Sequence, residues 1–193
     1  YNYREIGQIE ITKQVEPVDE SQWDFAINGP ESYSADNLSD DESSGNITAL
    51  TGTYIITETS DSDTASDYDT TYICRIGEEV VAEGNGKVIS GLDLGADDLI
   101  NCEFTNTLRR GTITVEKYND ENANGEKDGE ENTLSGWQFN LNETQQTTGD
   151  NGQTTFENLL PGSYNLSEVL QEGWDLTDIS CQSRQEESVN SLT

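Results

Sequence analysis

Apolar and polar residues alternate one by one over several short stretches of this chain. Ile9, Ile11 and Lys13 share one side against Glu10 and Thr12, and Tyr54, Ile56 and Glu58 share another. The same alternation recurs at Tyr164, Leu166 and Glu168, and at Cys102, Phe104 and Asn106. A period of two over five to seven residues predicts half-buried strands. Turn-forming residues punctuate the runs at 28–30, 83–86, 149–152 and Pro161-Gly162. No apolar stripe has helical spacing. The acidic, Ser/Thr-rich stretches 31–44 and 59–71 read as solvated loops. The chain is therefore expected to be all-β.

The strands come in two matched sets. Residues 7–13 (GQIEITK) reappear as 111–117 (GTITVEK), and Trp23-Asp-Phe25 as Trp137-Gln-Phe139. Residues 52–58 (GTYIITE) reappear as 162–168 (GSYNLSE), and Cys74 has its counterpart in Cys181. Preserved order with changing offsets indicates two homologous domains with different loop insertions. The boundary falls at Arg109-Arg110, giving domains at 1–109 and 110–193. Each has the size of a small β-sandwich, and the short linker predicts an end-to-end arrangement.

Alternation also turns three polar groups inward. If Ile9 and Ile11 face the core, so does Lys13; Tyr54 and Ile56 carry Glu58 with them, and Cys102 and Phe104 carry Asn106. Burial disfavours the charged forms of amine and carboxyl alike. A neutral amine beside a protonated carboxyl is a nucleophile with an adjacent acid. Attack of Lys13 on the Asn106 carboxamide, with Glu58 shuttling protons, would release ammonia and leave an intramolecular isopeptide bond. The plainer alternatives are a buried Lys13–Glu58 salt bridge or a lysine snorkelling to the sheet edge.

With these motifs the sequence resembles the B-type (CnaB, prealbumin-like) domains of bacterial surface adhesins and pilins. The matching elements are Lys13 ending the first strand, the Gly-x-Tyr-x-x-x-Glu run at 52–58, and Cys-x-Phe-x-Asn at 102–106. The resemblance covers essentially the whole chain, twice. It implies two tandem Ig-like or prealbumin-like β-sandwiches, and a self-formed Lys13–Asn106 cross-link assisted by Glu58. In the second domain Lys117 and Glu168 match, but no Asn-bearing last strand follows them, so that reaction cannot be completed within this chain.

The second domain carries an insertion absent from the first. Asp120, Asn122, Asn124, Gly125, Glu126, Asp128 and Glu131 fit D-x-[DN]-x-[DN]-G-x₅-E. Alternate oxygen-bearing side chains would converge on one ion, Gly125 permitting the turn, Glu126 offering its carbonyl and Glu131 closing the site. All-oxygen ligation selects a hard cation, Ca²⁺. No amphipathic helices flank the loop, so a helix–loop–helix sensor is not expected. The stretch resembles the calcium-binding B repeats of serine-aspartate adhesins. A merely solvated acidic turn is the alternative.

Three cysteines leave one over. Cys74 and Cys102 lie on candidate neighbouring strands of one repeat and are expected to pair, the alternative being two buried thiols. Cys181 is then unpaired, its partner belonging where the second domain's last strand would run. Counting back from the aligned glycines, Asn2 stands opposite Asn106, which assigns residues 1–4 to a preceding domain's last strand. Either the chain is a window of a longer tandem array, or subunits join head to tail by strand addition. In the second case Asn2 of one chain would meet Lys117 of its neighbour.

Composition narrows the partners. The 193 residues include 39 acidic and 9 basic side chains, no histidine, and a formal charge of −30. Such a surface repels phosphate and anionic headgroups, so neither nucleic acid nor a membrane surface is an expected partner. No apolar run is long enough to span a bilayer. An apolar fraction of 31% is low, and small sandwiches with covalent and metal staples account for it better than disorder does. The reading that follows is an extracellular or cell-surface stalk or fibre module, partnered by neighbouring copies of the same domains. It is not a turnover enzyme. A ligand-binding module using the acidic loops of the first domain is the alternative; a hydrolase lacks paired carboxylates aimed into a cleft. N-x-[S/T] sequons at Asn37, Asn46, Asn142 and Asn165 suit an extracellular protein.

Overall fold

The computed structural model describes residues 4–60 and 63–182. It divides into two compact units, Tyr1–Arg109 and Arg110–Thr193. Both are built of strands, and among the described residues the one helical element is a 3₁₀ turn at Asp63–Asp67. No helix among the described residues is long and apolar enough to cross a membrane.

Unit 1 contains β1 (Ile6–Glu16), β2 (Trp23–Asn28), β3 (Ser32–Leu38), β4 (Ile47–Leu50) and β5 (Gly52–Thr59). It continues with β6 (Tyr68–Ile76), β7 (Glu79–Asn85), β8 (Val88–Leu94) and β9 (Leu99–Leu108). They form a five-stranded sheet in the order β4-β1-β9-β6-β7 and a four-stranded sheet in the order β3-β2-β5-β8. Every pairing is antiparallel except β1 with β9, where first and last strands run parallel. That register sets Ile11 level with Cys102, Lys13 with Phe104 and Val15 with Asn106. The inner faces of both sheets supply the core, including Ile9, Ile11, Trp23, Phe25, Tyr54 and Phe104. Each large apolar side chain so buried contributes roughly 1.5–3 kcal/mol. The disulfide Cys74–Cys102 joins β6 to β9 within this core.

The acidic stretches are more ordered than their composition suggests. Residues 31–44, expected to be a loop, contain β3, whose Ala35 and Leu38 are buried while its polar residues face out. A strand covered on one side needs only a few apolar positions, and a register shift against β2 breaks their strict alternation. The second stretch, 59–71, holds the 3₁₀ turn and the start of β6, where Tyr68 and Thr70 are buried. The 83–86 signal is also displaced: β7 runs through Asn85, and the chain turns at Gly86, with φ 104°.

Unit 2 contains β10 (Gly111–Glu116), β11 (Gln138–Leu141), β12 (Thr144–Thr147), β13 (Gln153–Leu159) and β14 (Leu166–Glu168). β10 pairs with β13, and β12, β11 and β14 form a second sheet in that order. Asn165 and Tyr164 precede β14 rather than lying in a strand. The pairing pattern repeats unit 1 closely. Phe25 faces Glu58 across β2 and β5, and Phe139 faces Glu168 across β11 and β14. Ile27 and Ile56 pair likewise, as do Leu141 and Leu166. The core is smaller, centred on Val115, Trp137, Phe139, Leu141 and Phe156.

Candidate functional site

Lys13, Glu58 and Asn106 meet inside unit 1. They come from β1, β5 and β9, each placed inward by its strand's alternation, with exposures of 0%, 1% and 0%. Lys13 Nζ lies 3.1 Å from Glu58 Oε1, and Asn106 Nδ2 donates to the same oxygen at 3.2 Å. The other carboxylate oxygen accepts the Thr70 hydroxyl at 3.3 Å. Glu58 thus stands between the amine and the carboxamide.

The amine is held from several directions. Lys13 Nζ also donates to the carbonyls of Gln14 and Phe104, at 3.0 and 3.2 Å. It stands 5.1 Å from the centroid of the Trp23 ring. Burial pushes the Lys13 amine below the ordinary lysine range, against the raising pull of Glu58 and Asp40. Asn106 Oδ1 is buried without a hydrogen-bond partner, a state that ordinarily costs about 1–3 kcal/mol. Thr70 and Trp23 were not among the residues singled out from sequence. Thr70 sits in a polar-looking strand, and Trp23 reads as an ordinary core residue.

Unit 2 holds a matching but thinner arrangement. Lys117 Nζ lies 3.1 Å from Glu168 Oε2, with side-chain exposures of 14% and 4%, and 4.6 Å from the Trp137 ring centroid. The backbone of Lys117 is fixed by its neighbours: its N–H donates to the Gly152 carbonyl and its carbonyl accepts from Leu134 N–H, both at 2.8 Å. Gly152, with φ 71°, turns tightly enough that a Cβ there would lie 2.8 Å from the Lys117 carbonyl oxygen. Among the described residues no carboxamide hydrogen-bonds to Glu168. Asn2, proposed as the partner from sequence, lies outside the described residues, as does the stretch from 183 onward.

Residues 105–179 match the SpaA family of prealbumin-like fold domains. The match takes in β10 to β14, and with them Lys117, Glu168 and the 120–131 loop. Among solved structures, a mutant of the major pilin from Streptococcus pyogenes is similar at 16% identity, with a TM-score of 0.35. That alignment covers 54% of this chain and 48% of the pilin, so the chain spans about half the pilin's length. No curated protein matches.

The loop 120–131 of the prealbumin-like stretch is closed by an isolated bridge between Tyr118 and Thr133. Its acidic and amide side chains hold the loop's own N–H groups. Asp120 accepts from the backbone of Asn124 and Gly125 at 3.1 and 2.9 Å. Burial works to raise the Asp120 carboxyl, but these bonds and the Thr177 hydroxyl outweigh it and hold it below its ordinary range. Asn122 and Asn124 both donate side-chain N–H to Asp128 Oδ2, at 2.7 and 3.1 Å. Glu131 accepts from the backbone N–H of Glu121 and Asp128. The side chains of Asn122, Asn124 and Asp128 therefore converge, while no group of three or more acidic, Cys or His residues is gathered for a metal among the described residues. Glu126 enters through its N–H, which donates to Asn124 Oδ1 at 2.7 Å. Cys181 is exposed and unpaired in a disulfide.

Proposed function

We propose that this chain is a load-bearing module of an extracellular fibre or surface adhesin, built from two tandem CnaB-type domains. Unit 1 is locked by an isopeptide bond between Lys13 and Asn106. The observation that carries this reading is the buried trio itself: an amine with a lowered pKa, a carboxyl in contact with both partners, and a carboxamide with an unpartnered oxygen. In the neutral amine the Nζ lone pair attacks Asn106 Cγ. Glu58 takes a proton from Nζ and delivers it to the leaving Nδ2, so that a C–N bond forms, a C–N bond breaks and ammonia departs. The event occurs once per chain, which is self-modification without turnover. The matched strand registers of the two units support reading them as copies of one domain.

The 120–131 loop supports a structural Ca²⁺ site. Asp120, Asn122, Asn124, Asp128 and Glu131 would supply oxygens, with Glu126 through its carbonyl, as hard-cation chemistry requires. The convergence of Asn122, Asn124 and Asp128 favours this reading. A bound ion would draw the carboxylates from their present N–H partners toward a shared centre.

Intact mass under denaturing, reducing conditions tests the cross-link. The expected value is about 17 Da below that of the sequence, one ammonia lost. The sequence mass itself would show that Lys13 and Glu58 form only a buried ion pair, which the acceptors around Nζ would also satisfy.

A further inference from the structure

Two consecutive residues of unit 1 tie the acid of the buried trio to a neighbour on the opposite sheet. Gly86 and Lys87 join β7 of the five-stranded sheet to β8 of the four-stranded one. Gly86 N–H donates to the Thr70 carbonyl at 2.7 Å, and Glu58 N–H donates to the Lys87 carbonyl at 2.8 Å. Gly86 turns at φ 104°, a conformation that favours glycine. The Lys87 ammonium fastens this crossing, donating to the Ala65 carbonyl at 3.1 Å and standing 5.3 Å from the Trp23 ring centroid. Glu58 on β5 and Thr70 on β6 are thus held against each other by backbone as well as by side chain.

Thr70 is a costly choice for its place. It is 7% exposed, it shares the inward face of β6 with Tyr68 and Cys74, and it pairs with Asn106 across β6 and β9. Valine has nearly the same shape and would fill the position without burying a hydroxyl. The Thr70 hydroxyl makes one hydrogen bond among the described residues, to Glu58 Oε2 at 3.3 Å. The direction of that bond follows from burial. If Thr70 Oγ1 accepted from a protonated Oε2, the hydroxyl's own proton would be buried without an acceptor, so Oγ1 donates. The two oxygens of Glu58 are therefore unequal. Oε1 stands between Lys13 Nζ at 3.1 Å and Asn106 Nδ2 at 3.2 Å, whereas Oε2 faces Thr70. A proton on Oε1 is within reach of the leaving nitrogen; a proton on Oε2 is turned away from it.

We propose that Thr70 is a positioning residue for the Lys13–Asn106 cross-link, its hydroxyl keeping Oε2 free of the acid's proton so that this proton stays on Oε1. Oε1 gives that proton to Nδ2 and regains one from Nζ, as the Nζ–Cγ bond forms and the Cγ–Nδ2 bond breaks. Glu58 ends as it began, and ammonia leaves. This role rests on the chemistry proposed for unit 1, and adds to it which oxygen carries the proton and what holds it there.

The test uses newly made chains. The full chain and its Thr70 variants are produced by cell-free translation, synthesis is stopped, and intact mass is read over time under denaturing, reducing conditions. Each molecule that cross-links loses about 17 Da. Thr70→Val should convert about tenfold more slowly than the parent, and Thr70→Ser should stay within about threefold of it, as the loss or retention of one hydrogen bond requires. Packing alone predicts the reverse order, because valine fills the position and serine leaves a methyl-sized gap. Thr70→Ala leaves that gap without a hydroxyl and should be as slow as Thr70→Val. Conversion of Thr70→Val at the parent's rate, or of Thr70→Ser no faster than Thr70→Ala, overturns the proposal. A parent chain that never loses the ammonia defeats the cross-link chemistry and this role with it, whereas a parent and a Thr70→Val chain that convert together defeat this role alone.

Discussion

The two units carry the same lysine, glutamate and tryptophan in the same relation, yet among the described residues only unit 1 encloses them fully. There β9 runs between β1 and β6, seals Lys13 and Glu58 from water and brings Asn106 against the carboxyl. In unit 2, among the described residues, β10 pairs only with β13, and Lys117 retains 14% exposure. The comparison separates two requirements that a sequence motif merges. A Lys–Glu pair on facing sheets is enough to place the groups, but the last strand supplies both the carboxamide and the dry surroundings. Desolvation is what holds the Lys13 amine low.

Removing the shared acid should break the comparison most sharply. Glu58→Gln should raise the intact mass by about 16 Da, the ammonia retained less the roughly 1 Da of the substitution, and lower the unit 1 melting temperature by about 20–35 °C, the equivalent of about 4–5 kcal/mol of loop-closure entropy. Glu168→Gln should change the mass only by the roughly 1 Da of the substitution itself. Equal behaviour of the two variants in mass would show that enclosure is irrelevant. Metal should act on the other unit. Calcium at about a hundredfold over its dissociation constant should stabilise unit 2 by about 2.7 kcal/mol relative to chelator, with the unit 1 transition unmoved. Calorimetry that shows both transitions shifting, or neither, removes the loop as the specific site.

The smallest effect concerns protons. In an Asn106→Ala chain the Lys13 amine stays free, with a folded-state pKa below its unfolded value. Between those two values the unfolded state binds the extra proton, so this lysine's contribution to stability rises with pH and is lost as pH falls. Denaturant titrations of Asn106→Ala and Asn106→Ala/Lys13→Met across pH 6–10 should diverge in that direction. Parallel curves would show that the amine is not perturbed.

Much of this was legible in the chain because strand phase propagates. Ile9 and Ile11 fix the direction of Lys13, and Tyr54 and Ile56 fix that of Glu58, whatever the strands pair with. Pairing itself was not legible: nothing within β1 announces a parallel neighbour about ninety residues away. Thr70 stayed hidden for a related reason, since a hydroxyl in a polar strand acquires its role only when β6 lies beside β9. The strand β3 was concealed by its own solvent face, where charge dominates composition and the buried Ala35 and Leu38 are small signals. In the 120–131 loop the order of oxygen donors was readable, whereas the hydrogen bonds they make without an ion depend on backbone turns.

The parallel pairing of β1 and β9 has a mechanical consequence. A pull applied where the chain enters β1 and where it leaves β9 acts along both strands at once, so their hydrogen bonds are loaded in shear and must fail together rather than one by one. Lys13 and Asn106 lie near the same end of that ladder. Joined covalently, they would route tension straight from the first strand to the last, and the residues between them, core and disulfide included, would never feel the stretch.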